Sequence, residues 1–146
     1  MEPENKTTIT VETKINAPIK KVWSYWTEPK HITQWCHASD DWYAPYAEND
    51  LRVDGKFRTT MAAKDGSVSF DFEGVYTRIL EYKAIEYTIN GGRKVRISFS
   101  MLNNEIKMIE SFEAESVHPF EIQKDGWQAI LDNFKKYTEV NQGQVE

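Results

Sequence analysis

Glu110 is the one acid that the sequence pattern sets among apolar residues. Between Glu105 and Ala114 it falls in phase with Ile106, Met108 and Phe112, so a strand there would turn it to the same side as three large hydrophobic side chains. Burial penalises the charged form, so such an acid is either salt-bridged at a rim or a polar anchor inside a cavity. One such acid is too little to assign general acid or base work, and no catalytic residue is named. The histidines, His31, His37 and His118, follow no metal-ligand spacing, and a single cysteine, Cys36, excludes paired thiolate ligands. No metal is expected. Cys36 adjoins His37, but sequence neighbours do not face one another by default, and a small buried thiol is the simpler reading. Gly91-Gly92 reads as a hairpin turn and Gly55 stands alone, so no phosphate-cradling loop is present and no cofactor is expected.

The elements that must position Glu110 follow from periodicity. Residues 123–137 repeat apolar side chains at Trp127, Ile130, Leu131, Phe134 and Tyr137 or Thr138, the spacing of a helix with one wide apolar stripe. Gly126 lies inside that helix, where it costs roughly 1 kcal/mol relative to Ala; it marks either close approach to a sheet or room for a ligand. Upstream, residues 8–15 alternate as a first strand. Asn16-Ala17-Pro18 starts a helix running to about Thr27 with Pro18 in its first turn, burying Ile19, Val22, Trp23 and Trp26. Pro29 opens a second short helix ending at Trp35. Residues 36–49 read as irregular, with a short strand near Trp42 to Ala44. Asp54-Gly55 and Asp65-Gly66 are turns around the strand Lys56–Ala63, and Gly74 suggests a bulge or a sharp bend in the next strand. Ile85, Tyr87 and Ile89 share a face, as do Val95, Ile97, Phe99 and Met101.

The chain has 146 residues, a formal net charge of −5 and dispersed basic residues, which fits one domain and argues against nucleic acid as a partner. The two N-terminal helices carry no basic face, which excludes a DNA-reading helix-turn-helix. No run approaches the ~18 apolar residues of a membrane span and no export signal is seen, so a cytoplasmic protein without membrane insertion is expected. Residues 1–6 and 141–146 are expected to be flexible tails of a single domain, 1–146. Five Trp, seven Tyr and seven Phe exceed what a minimal core needs, and aromatic residues also line apolar ligand pockets.

Strand, two short helices, about six or seven antiparallel strands and a long C-terminal helix make an α+β helix-grip arrangement. Its residues carry a closer likeness. Asn16-Ala17-Pro18, Val22-Trp23, Trp26-Thr27, Glu28-Pro29 and Trp35 resemble the opening motif of the SRPBCC (START-like, birch-pollen-allergen-like) superfamily, in the branch named for the activator of the heat-shock-protein-90 ATPase. Residues 50–57, Phe72-Glu73-Gly74-Val75-Tyr76, Ser111-Phe112-Glu113 and Gly126-Trp127 with Leu131 extend the resemblance over nearly the whole chain. Asp54 stands where the family more often has a second glycine.

The resemblance implies a cavity between curved sheet and long helix, able to hold an apolar small molecule such as a lipid, a polyketide or a flavonoid-like ring system. Relatives include binders, carriers, cyclases and a co-chaperone domain, and a shared fold does not fix function. The inward phases nominate Trp35, Phe57, Phe70, Phe72, Tyr76, Tyr87, Phe99, Met108, Glu110, Phe112, Trp127, Leu131 and Phe134 as cavity-lining residues, many of them doubling as core. The expected function is binding of an apolar small molecule. An alternative is a cyclase- or hydrolase-like enzyme using Glu110 with Tyr76, Tyr87 or Arg52. A co-chaperone-type interaction module is a third reading and would need an apolar surface patch; a weak homodimer is compatible with all three.

Overall fold

The computed structural model describes residues 7–140; the stretches expected as tails, 1–6 and 141–146, lie outside the described residues. In chain order the elements are β1 (Thr8–Ile15), α1 (Ile19–Thr27), α2 (Pro29–Trp35), β2 (Trp42–Asn49), β3 (Lys56–Ala63), β4 (Ser69–Leu80), β5 (Ala84–Ile89), β6 (Arg93–Leu102), β7 (Glu105–Glu113) and α3 (Phe120–Val140). The strands form one antiparallel sheet ordered β1-β7-β6-β5-β4-β3-β2. It curls around α3, giving the helix-grip arrangement. No described helix is long and apolar enough to cross a membrane.

Alternation sets which face is buried. Ile9, Val11 and Ile15 of β1, Val95, Ile97 and Phe99 of β6, and Ile106, Met108, Glu110 and Phe112 of β7 all turn to the concave side and are buried. Strictly opposed registers, such as Ile97 against Glu110 and Val11 against Glu110, lock this phase across the centre of the sheet. Met101 shares the phase but is 72 % exposed, although its register partner Ile106 is buried; β6 there runs past the end of β5, whose last pair is Ala84 with Ser98. On α3, Leu131, Phe134 and Thr138 are buried while Trp127, Ile130 and Tyr137 are half-buried. The helix begins three residues earlier than the periodicity indicates, just after Pro119. Gln123 in its first turns bonds the carbonyls of Glu115 and His118 through its amide nitrogen and accepts from the Glu115 N–H, which pins the approach to the helix.

Several local expectations change. Pro18 is the N-cap of α1 rather than a first-turn residue, its carbonyl accepting from Lys21 and Val22 at 3.1 and 3.0 Å. Within that helix Val22 and Trp23 are buried, whereas Ile19 and Trp26 are half-buried. Residues 42–49 form a full eight-residue strand; Pro45 is tolerated because β2 is an edge strand and its register shifts between Tyr43 and Tyr46. Gly74 is not a bulge: it pairs regularly with Phe57 and Ile89, and the irregularity of β4 falls between Tyr76 and Arg78. Its lack of a side chain serves close approach, since a Cβ would lie 2.6 Å from the Thr88 carbonyl oxygen and 2.9 Å from the Phe57 ring. Gly126 is the reverse case, with no atom within 4 Å of an added Cβ, so it does not mark a tight contact with the sheet.

These two glycines therefore respond oppositely to the same methyl group. Gly74→Ala is expected to lose about 1–3 kcal/mol, because the Thr88 carbonyl is backbone and cannot step aside. Gly126→Ala gains up to about 1 kcal/mol from helix propensity alone. Urea denaturation of both variants checks the pair, and a destabilised Gly126→Ala would show that its open space is filled in the native protein.

Candidate functional site

A cavity of about 290 Å³ opens between the sheet and the helical elements. Its walls are aromatic. Trp26 comes from α1, Trp35 and Cys36 from the end of α2, Met61 from β3, Phe70 and Phe72 from β4, and Trp127 and Ile130 from α3. Polar groups enter from four places: Tyr87 of β5, Arg93 of β6, Glu110 of β7 and Glu115 just beyond it. A smaller hollow of about 70 Å³ adjoins, sharing Trp26, Trp35, Cys36, Phe72 and Tyr87 and adding Phe57, Tyr76 and Asn49 among others. Ring contacts hold the walls in place. Trp26 stacks on Trp35 at 4.7 Å, both meet Phe134 edge-on at 4.9 Å, and Trp127 stacks on Phe112 at 3.8 Å. The Trp35 indole N–H donates to the Tyr25 carbonyl at 2.9 Å, fixing that ring's edge.

Glu110 is the acid at the heart of this wall, 5 % exposed. Loss of water pushes its carboxyl up to about 8, so at neutral pH it carries its proton and offers an O–H to whatever enters the cavity. The groups beside it respond in kind. Burial, followed by the nearby Glu110, pushes the Cys36 thiol up to about 12, which leaves it a buried, unreactive thiol. The Tyr87 hydroxyl is raised well above its ordinary value, by burial first and then by Glu110, and stays protonated. Tyr76 is spent on Asn49, donating to its side-chain oxygen at 2.6 Å. Arg52 is remote from the site: it is exposed on the β2–β3 connection and pairs with Asp50 at 2.9 Å. His37 meets Asn133 at 3.1 Å through Nε2, while His118 pairs with Glu115 at 2.7 Å. Among the described residues no group of three or more His, Cys, Asp or Glu is placed to hold a metal ion.

A family model described as Activator of Hsp90 ATPase homolog 1-like protein matches residues 16–139. The chain belongs to this family. Among solved structures, it is 53 % identical to Chr148 from Cytophaga hutchinsonii, with 95 % of this chain and 96 % of that one covered and a TM-score of 0.79. It is 40 % identical to the AHSA1-like protein from Aeromonas hydrophila, covering 92 % and 93 % of the two chains at a TM-score of 0.87. The Aha1 dimer from Colwellia psychrerythraea, at 14 % identity, shares the fold over 94 % and 99 % of the chains with a TM-score of 0.72. No curated protein matches the chain.

In this AHSA1-like chain the residues nominated by phase divide into two sets. Trp35, Phe70, Phe72, Tyr87, Glu110 and Trp127 border the main cavity, and Phe57 and Tyr76 border its annex. Phe99, Met108, Phe112, Leu131 and Phe134 pack into the core instead and border neither hollow. Periodicity reports only that a side chain points inward. Whether it then meets another side chain or open space depends on what α1, α2 and α3 cover. Trp26, Cys36, Met61, Arg93, Glu115 and Ile130 line the cavity without having been nominated. Arg93 and Met61 had a signal, since both lie in inward phase, Arg93 with Val95 and Ile97; Glu115 lies past the strand and had none. A third hollow of about 430 Å³ lies against the outward-facing Thr8, Thr77, Lys94, Arg96 and Ser111, of which all but the half-buried Ser111 are exposed. The one buried polar residue of its lining, Tyr87, also borders the main cavity.

Glu110 should make stability depend on pH in a defined direction. An unfolded chain releases this proton near 4.5 and the native chain near 8. Between those values the native state binds more protons than the unfolded state, so stability falls as pH rises and levels off above about 8. Relative to Glu110→Gln, the unaltered protein is expected to lose roughly 3–5 kcal/mol across that window, and parallel pH profiles from denaturant titrations would refute the assignment. Trp127→Ala is expected to cost about 2–3 kcal/mol, below the range for a fully buried ring, because one edge faces the cavity while the other face stacks on Phe112. Equilibrium unfolding of that variant measures it.

Proposed function

We propose that the protein binds an apolar small molecule, of lipid, polyketide or flavonoid-like character, in the cavity between the sheet and α3. One observation carries the reading. Aromatic side chains from α1, α2, β4 and α3 converge around a single buried acid and leave about 290 Å³ between them, near the lower end of the size range of small-molecule pockets. A filled core would have closed this space, because voids in protein interiors are costly. The reading needs no reaction. An enzyme using the same cavity ranks second, supported by the protonated Glu110 and Tyr87 in one wall. We also propose no more than a weak homodimer, since Pro45 and the register shift blunt the free edge of β2.

A thermal-shift and tryptophan-fluorescence screen against fatty acids, sterols, flavonoids and polyketides tests the proposal, Trp26, Trp35 and Trp127 being the reporters. A ligand at 100 times its Kd stabilises by about 2.7 kcal/mol, which raises Tm by roughly 5–10 °C for a domain of this size. Saturable stabilisation by one class is the expected result. No shift with any class, together with unquenched tryptophans, would remove the binding reading.

A further inference from the structure

The cavity has two polar ends on one strand pair. Glu110 lies opposite Ile97 in the β6–β7 ladder, and Arg93 stands four residues from Ile97 in the same inward phase, so their backbones are about 13 Å apart along the sheet. Both side chains border the one cavity. Glu110 is at its buried end, with no hydrogen bond or ion pair to another described residue. Arg93 is half-buried beside the Gly91-Gly92 turn, at the solvent end. Its guanidinium Nη1 donates to the Glu113 carbonyl at 3.0 Å, a neutral acceptor, and among the described residues no carboxylate lies within ion-pair distance of it. The other acid of the wall, Glu115, is committed elsewhere: Oε1 accepts from the N–H groups of Val117 and His118, and Oε2 meets the His118 ring. The rest of the lining is mostly aromatic, Trp26, Trp35, Phe70, Phe72 and Trp127, with Cys36, Met61 and Ile130 between them.

We infer that the cavity selects a planar aromatic molecule with a neutral carbonyl oxygen at one end and an acidic group at the other, the carbonyl accepting from Glu110 and the acid meeting Arg93. This rests on the binding reading above and narrows it to a ligand class. The donor at Glu110 exists because burial holds the proton on until about pH 8. The titratable or charged groups facing it are Cys36 from α2, Tyr87 from β5 and Tyr76 behind it on β4, with Arg93 and Glu115 toward the mouth. Cys36 and both tyrosines are held neutral by burial above that range. The lining residues from α1, β3 and α3 are Trp26, Met61, Trp127 and Ile130, none of which titrates.

Four matched probes, followed by tryptophan quenching, test the inference: 6-acetyl-2-naphthoate, 2-naphthoate, 2-acetylnaphthalene and 2-ethylnaphthalene. The keto-acid is expected to bind tightest, with removal of either polar group weakening it about tenfold. Glu110→Leu should abolish the preference for the acetyl group, whereas Glu110→Gln, which keeps an N–H donor, should preserve it and remove the fall in affinity seen above about pH 8. Arg93→Gln should abolish the preference for the carboxylate. If 2-ethylnaphthalene binds as tightly as the keto-acid, or Glu110→Leu still prefers the ketone, this inference is overturned while binding in the cavity stands. If none of the four quenches, the inference is overturned, and the cavity reading falls with it only when the fatty-acid, sterol, flavonoid and polyketide screen is also blank.

Discussion

A curled sheet of seven strands offers more concave surface than one helix can cover. With strands about 4.8 Å apart the sheet is roughly 30 Å wide, whereas a helix with its side chains is about 10–12 Å across. The mismatch has to be filled or left open. Here α1 and α2 fill one end with Trp23, Trp26, Ile32 and Trp35, and the C-terminal half of α3 fills the middle with Leu131 and Phe134. Towards its N-terminal half the apolar side chains that α3 brings to the cavity are Trp127 and Ile130, and that is where the open space lies. The open space under this sheet thus follows from coverage.

The same constraint explains what was legible in the sequence. Period-two alternation in β1, β6 and β7 and the helical stripe of α3 are consequences of burying one face, so the architecture could be read from them. Glu110 stood out for the same reason, as a polar residue breaking an apolar phase. The boundary between core and cavity was not legible. Phe112 and Phe72 have identical signatures in the chain, yet Phe112 is covered by a stacked Trp127 ring and Phe72 borders open space. Gly74 and Gly126 show the limit from the backbone side. A missing side chain reports permission for closeness, and only the neighbouring strand and the Phe57 ring determine whether it is used.

A buried acid is expensive unless its site tolerates a neutral form. The protein meets this by leaving the proton on Glu110 rather than by supplying a counter-ion, and the neighbouring thiol and phenols are shifted in the same sense. The polar groups at this end of the wall are therefore neutral donors near pH 7. That distinguishes it from the outer surface, where Lys135 with Glu139 and Arg52 with Asp50 form ordinary solvent-facing pairs worth little to stability.

The strand order also has a kinetic consequence. Among the described residues strand β1 pairs only with β7, and the Thr10–Ser111 contact spans 101 residues. A chain emerging from synthesis therefore carries Ile9, Val11 and Ile15 without a sheet partner until nearly everything else has been made. Closing so long a loop places the protein among slow, non-local folders, and the β1–β7 seam and α3 must dock late. The cavity is then one of the last features to form, and a nascent chain halted before residue 105 would have neither the complete sheet nor the space beneath it.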